Sequence, residues 1–526
     1  MKSKTGGKRG LRRAAALAAS AASVLLVTAC SVVHVHFESA ASSAPAASAT
    51  SGGYLAYAEC MRAHGIPGFP NPSSSGNARS SVHLTGGPDS PAARANAACE
   101  HLQPADSTAA GIARAPSGLP TDCLASQPAT CDTPRQLLVA YGIQPLLDRG
   151  ITGRGQTIVL LEFPPQAAGA SGAAAGGQVP ASSDIRQDLA LFDSRFGLPA
   201  ARVQVVNTLA HAASPWLAST EEAEDTEIVH ALAPDAAIRE VLIPSPYTGS
   251  TAAVSAAAVA ALRLGLTQGG VVEFSAGAGE QCFTTAEAAQ WNAALQAAQR
   301  DRVTVVVSLG DSGAATTPCP SAGADSAPVK GVDLPGSDPL ALAVGGTTLR
   351  ASGAAGAYVG ETVWNILPQP GEPRATGGGF SRLFPRPAYQ DGIAGIGATR
   401  GAPDVAADAD PDTGMALALG GGGQGNVLIG AGGDSAAGPL WAAVIALADQ
   451  YAGRELGFVN PAVYQIGRGA SYHQAFHDVT TGSNTVTPAA GTITGYRAGP
   501  GWDPVTGWGS PDAQVLVPLL ARYVST

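Results

Sequence analysis

Short apolar segments alternate with helical patterns from about residue 131 onward, and this alternation constrains the fold most strongly. The apolar runs predict buried strands because consecutive residues are apolar, rather than every second one. Parallel strands need long crossovers, usually helices, that cover both faces of a sheet. We therefore predict an α/β protein with a doubly wound, mainly parallel sheet and helices on both faces. The predicted strands are 156–162, 203–206, 238–243, 271–274 and 303–309, and the predicted helices are 185–196 (capped by Asp184), 221–232, 256–264, 286–300 and 440–451.

Composition and charge limit the possible partners. Hydrophobic residues make up 45% of the 526 residues, which is enough for a large core and excludes wholesale disorder. The formal net charge is −10, and without a basic face nucleic acid is not expected as a partner.

The first thirty residues have the pattern of an export signal. A basic segment from Lys2 to Arg13 precedes an apolar run, 14–29, that is short for a membrane span. The sequence Val-Thr-Ala-Cys at 27–30 resembles a bacterial lipobox, in which lipidated Cys30 becomes the mature N-terminus. We expect an extracytoplasmic protein, anchored by that lipid to the outer face of the cytoplasmic membrane. Ordinary cleavage near Ala29, with a free thiol and a secreted product, is the alternative.

Composition shifts divide the rest of the chain. Residues 31–53 are Ala/Ser-rich and are interpreted as a flexible tether. Residues 54–104 resemble a short two-cysteine module of actinobacterial lipoproteins, with two helical pieces joined by a disulfide. A linker at 105–120 leads into the main domain, 121–526.

The cysteine count indicates disulfides. Seven cysteines are present, and removing Cys30 leaves an even number in an extracytoplasmic chain. The count alone leaves every pairing open. No Cys-x-x-Cys pair occurs, so a structural zinc site is not expected. We predict the pairs Cys60–Cys99, Cys123–Cys131 and Cys282–Cys319.

One acidic helical segment is a candidate site. Glu221 and Asp225 are four residues apart and would lie on one helix face. Two carboxylates held together cannot both ionise freely, so one keeps its proton to higher pH. An acidic, solvated helix start is the alternative interpretation.

Two glycine-rich turns are further candidates. Gly-Asp-Ser-Gly at 310–313 follows a predicted strand, the end at which open α/β sheets usually place functional groups; a tight turn is the alternative. In the segment 429–439, small residues would bring Ser435 to a helix N-terminus, where free N–H groups can receive an oxyanion. There the alternative is a turn with a capping serine.

A Ser-His-Asp arrangement is disfavoured because histidines are missing where it would need them. No histidine lies between Asp311 and Ser435, and the only His-Gly pair, at His64, falls in the small module. His230 follows Asp225 by only five residues. A carboxylate base is therefore the better hypothesis.

The order of these motifs resembles the sedolisin, or serine-carboxyl, peptidases. Three motifs occur in the family's order: Glu-x-x-x-Asp, then Gly-Asp-Ser-Gly, then a Gly-rich serine motif whose serine is followed four residues later by proline. The similarity covers about 131–520. Further matching stretches are Val-Asp-Leu-Pro at 332–335, Ala-Val-Gly-Gly-Thr at 343–347, Glu-Thr-Val-Trp-Asn at 361–365, Gly-Gly-Gly-Phe-Ser at 377–381, Ala-Pro-Asp-Val-Ala at 402–406, Ala-Asp-Pro at 409–411 and Gly-Trp-Asp-Pro-Val-Thr-Gly at 501–507.

The resemblance implies a subtilisin-like fold and a division of roles. Glu221 matches the general base, Asp225 the carboxyl that orients it, Ser435 the nucleophile, and Asp311 the acid that stabilises the oxyanion. Asp311 must be protonated to donate a hydrogen bond, so such an enzyme is expected to prefer acid pH. The implied substrates are polypeptides, cleaved internally or as tripeptides from one end, and the implied state is a monomer.

The resemblance also implies one structural calcium ion. Asp478 and Asp503 match the family's calcium-binding carboxylates, and the carbonyls of Val479, Gly499 and Gly501 would complete the protein ligands. Calcium prefers such all-oxygen sets. By themselves, two aspartates among glycines are more often turn formers.

Two departures from the family pattern favour a second hypothesis. Asp434 stands where the family has threonine before the nucleophile, and an ionised carboxylate there would oppose oxyanion formation. Only about a hundred residues separate Cys30 from the peptidase-like region, too few for the family's usual propeptide. A catalytically silent relative acting as a surface binding protein is therefore the alternative. Another α/β hydrolase, such as an esterase, would need a Gly-x-Ser-x-Gly elbow that the chain lacks.

Overall fold

The computed structural model divides the chain into two compact units, 1–118 and 119–526. The predicted signal peptide and most of the predicted tether lie outside the described residues. The structure describes residues 32–35, 59–60, 62–64, 82–85, 98–99, 123–124, 131–163, 183–207, 217–243, 251–266, 269–317, 319, 328–369, 372–421, 425–488 and 491–524.

The first unit contains a short antiparallel strand pair and a disulfide. Strand β1 (Val32–Val35) pairs with β2 (Val82–Thr85). Cys60 and Cys99 lie on short helical pieces and form the predicted disulfide, so this pairing is confirmed.

The second unit alternates helices and strands. Its helices are α1 (Pro134–Ala140), α2 (Gln144–Leu147), α3 (Ile185–Phe196), α4 (Thr220–Leu232), α5 (Thr251–Leu266), α6 (Thr285–Arg300), α7 (Asp434–Ala452), α8 (Asn460–Gly467), α9 (Tyr472–Ala475) and α10 (Ala513–Tyr523). Its strands of four or more residues are β3 (Thr157–Glu162), β5 (Arg202–Asn207), β7 (Ala237–Leu242), β8 (Val271–Phe274), β10 (Thr304–Ser308), β12 (Leu342–Ser352), β13 (Ala357–Val363), β14 (Asn365–Gln369), β15 (Glu372–Ala375), β16 (Gly379–Pro385), β17 (Thr399–Ala402), β18 (Val405–Asp408), β19 (Ala416–Gly421) and β20 (Gly425–Gly430). The two-residue strands are β4 (Ser183–Asp184), β6 (Leu217–Ala218), β9 (Ala278–Gly279), β11 (Asp333–Leu334), β21 (Phe476–His477) and β22 (Ser510–Pro511).

An eight-stranded sheet forms the centre of this unit. Its order is β13-β12-β10-β8-β3-β7-β5, and β18 pairs in parallel with β12. All neighbours along the order are parallel except β13, which is antiparallel to β12 at the edge. The predicted mainly parallel, doubly wound α/β sheet is confirmed.

Helices cover both faces of the sheet. Side chains along a strand alternate between these faces, so one strand contributes to two cores. Ile158 and Leu160 belong to a first core, which includes residues of α4, α7 and α10. Val159 and Leu161, from the same strand, belong to a second core, under α5 and α6. The first core lies on the face that carries the candidate site.

Predicted element bounds agree well for some elements and differ by several residues for others, such as α5, which begins at Thr251 and not at residue 256. The structure gives helix α3 and strand β8 the predicted bounds, and Asp184 accepts a hydrogen bond from the Arg186 amide as an N-cap. Helix α7 begins at Asp434, six residues before the predicted start. The antiparallel pairs β14–β15, β16–β17 and β19–β20 were not predicted.

The second unit contains the other two disulfides. Cys123 pairs with Cys131, and Cys282 pairs with Cys319, so both predicted pairings are confirmed. Among the described helices, none combines the length and the apolar character needed to cross a membrane.

Candidate active site

The strand period brings acidic side chains to the first-core face. Glu162 follows Ile158 and Leu160 at even spacing on β3, Glu240 follows Ile238 on β7, and Glu273 follows Val271 on β8. All three glutamates are at most 2% exposed. Neighbouring parallel strands therefore place three carboxyls side by side beneath one helix.

That helix is α4, and its acidic residues are buried except for Glu221, which is half-buried. Ser219 caps it, and the Ser219 and Glu222 side chains each accept from the other's backbone amide. Asp225 is fully buried. The alternative of a solvated acidic helix is therefore wrong, because this face of α4 packs against the sheet instead of water.

Ser435 lies in the first turn of α7. Gly433 caps the helix with φ +93°, a left-handed conformation that glycine adopts without strain, and a Cβ there would lie 2.8 Å from Asp311 Oδ2. Glycine thus allows the Ser435 loop to approach Asp311 closely. Ser435 itself is partly exposed. Its amide is among the first four of the helix, which have no intrahelical acceptor.

The structure brings Glu221 to Ser435. The Glu221 carboxyl and the Ser435 hydroxyl are close enough for the hydroxyl to influence the carboxyl's pKa, and Asp311 is close enough to act on Glu221 electrostatically. Burial raises the pKa of Glu221 to about 7, while the Ser435 hydroxyl opposes that increase. Glu221, Asp311 and Ser435 therefore lie together in the structure.

Asp225 lies behind Glu221 among other carboxyls. Its side chain lies against those of Glu162 and Glu273. Burial, followed by the charges of Glu162 and Glu273, raises the pKa of Asp225 well above its usual range. Because ionised carboxylates only accept hydrogen bonds, these contacts require shared protons.

Asp311 stands on the other side of Ser435. Its Oδ1 accepts from the Asp434 amide at 2.9 Å, and its Oδ2 lies 3.6 Å from Arg374 Nη1. Burial raises the pKa of Asp311, while the Asp434 amide and the Arg374 guanidinium oppose the increase. The Asp311 side chain is still 29% exposed, so it borders a space open to solvent.

Asp434, the residue in the threonine position, points into the protein. Its Oδ2 accepts from the Gly377 amide at 3.0 Å and from the Thr376 hydroxyl at 3.1 Å. Burial, followed by the charge of Asp311, raises the pKa of Asp434 well above its usual range. A neutral Asp434 does not oppose a negative charge beside Ser435.

His230 does not belong to the site. It is fully buried, and its Nε2 lies 2.8 Å from Asp193 Oδ1 and 2.9 Å from the Pro199 carbonyl oxygen. The sequence-based exclusion of a histidine base agrees with this geometry.

Sequence reasoning missed Glu162, Glu224 and Glu273. Glu224 Oε1 accepts from the amide of Gly432, at 2.8 Å, and so holds the loop before Ser435. For Glu162 and Glu273, the sequence signal was a glutamate inside or at the end of an otherwise apolar strand, as in Val-Val-Glu-Phe at 271–274. A charge at such a position must be neutralised or paired.

The candidate calcium ligands come from two chain segments that lie together. The Gly501 amide donates to Asp478 at 3.2 Å, and the Gly499 amide donates to Asp503 Oδ2 at 3.1 Å. Gly501 has φ +78°, which favours glycine. Two carboxylates with neighbouring backbone carbonyls are an all-oxygen donor set of the kind that calcium prefers. Val479 is buried beside Asp478.

Comparison with known proteins identifies related peptidases. Kumamolisin from Bacillus sp. (strain MN-32) is 34% identical over 393 residues, which span 73% of this chain and 62% of kumamolisin. Sedolisin from Pseudomonas sp. (strain 101) is 37% identical over 214 residues, 40% of this chain and 34% of that protein. Tripeptidyl-peptidase 1 of Homo sapiens is 31% identical over 165 residues, 28% of this chain and 27% of that protein. The chain thus covers less than two thirds of each of these relatives.

A solved structure supports the same relationship. Pseudomonas sedolisin, a serine-carboxyl proteinase complexed with pseudo-iodotyrostatin, matches with a TM-score of 0.60 and 25% sequence identity. The match covers 75% of this chain and 99% of that chain. No family model matches the sequence.

The buried carboxyls predict a fold that is most stable in acid. Burial raises the pKa of Glu240 to about 7 and that of Glu273 to about 8, against about 4.3 for glutamate in an unfolded chain. Between these values the folded state holds protons that the unfolded state has lost. The free energy of unfolding should therefore be greatest below a pH of about 4 and fall as pH rises to about 8. Urea unfolding across this range measures it.

Glu240→Gln should flatten this dependence, whereas the control Asp391→Asn, at an exposed position, should leave it unchanged. A urea midpoint that stays constant or rises with pH would contradict the prediction.

Proposed function

The chain belongs to the sedolisin family, and we propose that it is a serine-carboxyl peptidase that cleaves polypeptides in acid. The observation that carries this proposal is the approach of the Glu221 carboxyl on α4 to the Ser435 hydroxyl on α7. A carboxyl placed against a partly exposed serine hydroxyl can take its proton.

The proposed reaction begins with attack by Ser435 Oγ on the carbonyl carbon of a peptide bond. The ionised form of Glu221 accepts the hydroxyl proton, and the carboxylic acid so formed gives it to the leaving amine. Asp225 orients Glu221 from behind. Because their protons are shared with neighbouring carboxyls, the base titrates as a cluster and not as one residue. Water then releases the acyl group by the same steps in reverse order.

The oxyanion of the tetrahedral intermediate would lie between the Ser435 amide and Asp311. A protonated Asp311 can donate through Oδ2 while Oδ1 accepts from the Asp434 amide. Rising pH removes this proton and replaces a donor with a negative charge. We therefore expect activity to fall toward alkaline pH.

Ser435→Ala tests the proposal directly. Removing the nucleophile should reduce kcat for an unstructured protein or peptide substrate at acid pH by at least about a thousandfold. Ser312→Ala is the matched control, since Ser312 also follows Gly-Asp and lies in the neighbouring turn. The control should keep activity within about threefold of wild type.

Full activity of Ser435→Ala would refute the peptidase assignment. A wild-type protein that neither cleaves peptides nor reacts at Ser435 with a fluorophosphonate probe would instead be a silent binding relative. The buried, hydrogen-bonded position of Asp434 removes the main argument for that alternative.

We further propose one structural calcium ion held by Asp478, Asp503 and the carbonyls of Val479, Gly499 and Gly501. Bound calcium would supply positive charge to two nearby carboxylates and join the two chain segments. Saturating calcium should raise the Tm of the wild type, since a ligand at about 100 Kd stabilises by about 2.7 kcal/mol. Asp503→Asn should abolish that increase, and Asp391→Asn should preserve it. Equal Tm values with calcium and with a chelator would contradict the site.

We also propose export and lipid anchoring through Cys30, supported by the basic segment, the apolar run and the lipobox-like sequence. Expression with a labelled fatty acid should label the wild-type chain. Cys30→Ala should remove the label, whereas Cys60→Ala should retain it. Absence of label on the wild type would favour ordinary secretion.

A further inference from the structure

Glu273 is a fully buried glutamate that the reaction above does not use. It lies in the middle of the sheet, on a strand whose other residues are Val271, Val272 and Phe274. A charge at such a position is very unfavourable unless it is neutralised or compensated. The position therefore calls for a neutral, hydrogen-bonded carboxyl.

One oxygen of Glu273 connects to the nucleophile's helix. Glu273 Oε1 accepts from the Ser275 hydroxyl at 2.8 Å. The same hydroxyl oxygen lies 3.3 Å from Ser308 Oγ and 3.4 Å from the carbonyl oxygen of Ser435. A Cβ at position 438 would collide with Glu273, so glycine lets α7 pack directly on this carboxyl.

The other oxygen, Oε2, has no N–H or O–H donor among the described residues. Both oxygens of Asp225 are in the same condition, yet the carboxyls of Glu273 and Asp225 contact each other. Two carboxyls can hydrogen-bond only if one of them carries a proton. The titratable groups facing Glu273 are all acidic, namely Asp225 and Glu221 from α4 and Glu162 from β3. Among the described residues no cation acts on Asp225 or Glu273, whereas Arg374 acts on Glu221.

We propose that Glu273 is a positioning residue, whose protonated carboxyl donates to Asp225 while accepting from Ser275. This inference rests on the proposed function. The carboxyl links the back of the Glu221–Asp225 pair to the turn that carries Ser435. It thereby fixes the distance between base and nucleophile. Burial raises the pKa of Glu273 to about 8, in keeping with a donor that keeps its proton in acid.

Two substitutions of Glu273 compare a side chain that keeps the hydrogen-bond donor with one that lacks it. Glu273→Gln keeps both functions, because the amide NH₂ can donate to Asp225 and the amide oxygen can accept from Ser275. Glu273→Ala removes both. At acid pH, Glu273→Ala should lower kcat by at least about tenfold with KM within twofold of wild type. Glu273→Gln should restore kcat to within about threefold.

Glu240 supplies the matched control. It is also a fully buried glutamate on the same sheet face, but it contacts Glu222 and Thr226, not Asp225. Glu240→Ala should lower the urea midpoint about as much as Glu273→Ala while leaving kcat within threefold of wild type.

Three results would overturn the positioning role: an unchanged kcat in Glu273→Ala, an equal loss in Glu273→Gln and Glu273→Ala, or an equal loss of kcat in Glu240→Ala. Each is distinct from failure of the proposed function, which would appear as residual activity in Ser435→Ala. If Glu273→Ala does not fold, the kcat values of Glu273→Gln and Glu240→Gln at acid pH still test the positioning role. A tenfold loss in Glu273→Gln alone would refute a donor role.

Discussion

The structure depends on burying carboxyl groups between the sheet and helix α4. Glu162, Glu240 and Glu273 stand on the strands, and Glu222 and Asp225 face them from the helix. Apolar residues at these positions would give a simpler core. Carboxyls are tolerated there only if they remain protonated and share their protons. The packing of α4, and with it the position of Glu221, is therefore coupled to acidity.

Glycine makes the second half of the site possible. At Gly433 it permits the turn that brings Ser435 beside Asp311, and at Gly438 it lets α7 lie against the sheet. Ser435, the proposed nucleophile, is consequently presented by a buried helix and not by a mobile loop. Its partners reach it from α4 on one side and from the turn after β10 on the other. Such placement on rigid elements suits a reaction that needs fixed distances.

Much of this arrangement could be predicted from sequence, and the failures have physical causes. Uninterrupted apolar runs predicted the strands, and the spacing of Glu221 and Asp225 placed both on one helix face. The burial of that helix was not predictable from its own residues, because an acidic stretch is usually solvated and only tertiary packing buries it. Glu273 was missed for a related reason, since one glutamate in an apolar strand does not show what it will face. The antiparallel pairs after β13 depend on long-range contacts that no local period encodes.

Neutron diffraction from crystals of the deuterated protein at acid pH would decide whether these carboxyls share protons, because it locates protons on carboxyl oxygens. Shared protons would appear as deuterons between Asp225 and its neighbours Glu162 and Glu273, with none of these contacts left as a bare pair of acceptors. Ionised carboxylates at all three residues, separated by ordered water or a cation, would contradict proton sharing.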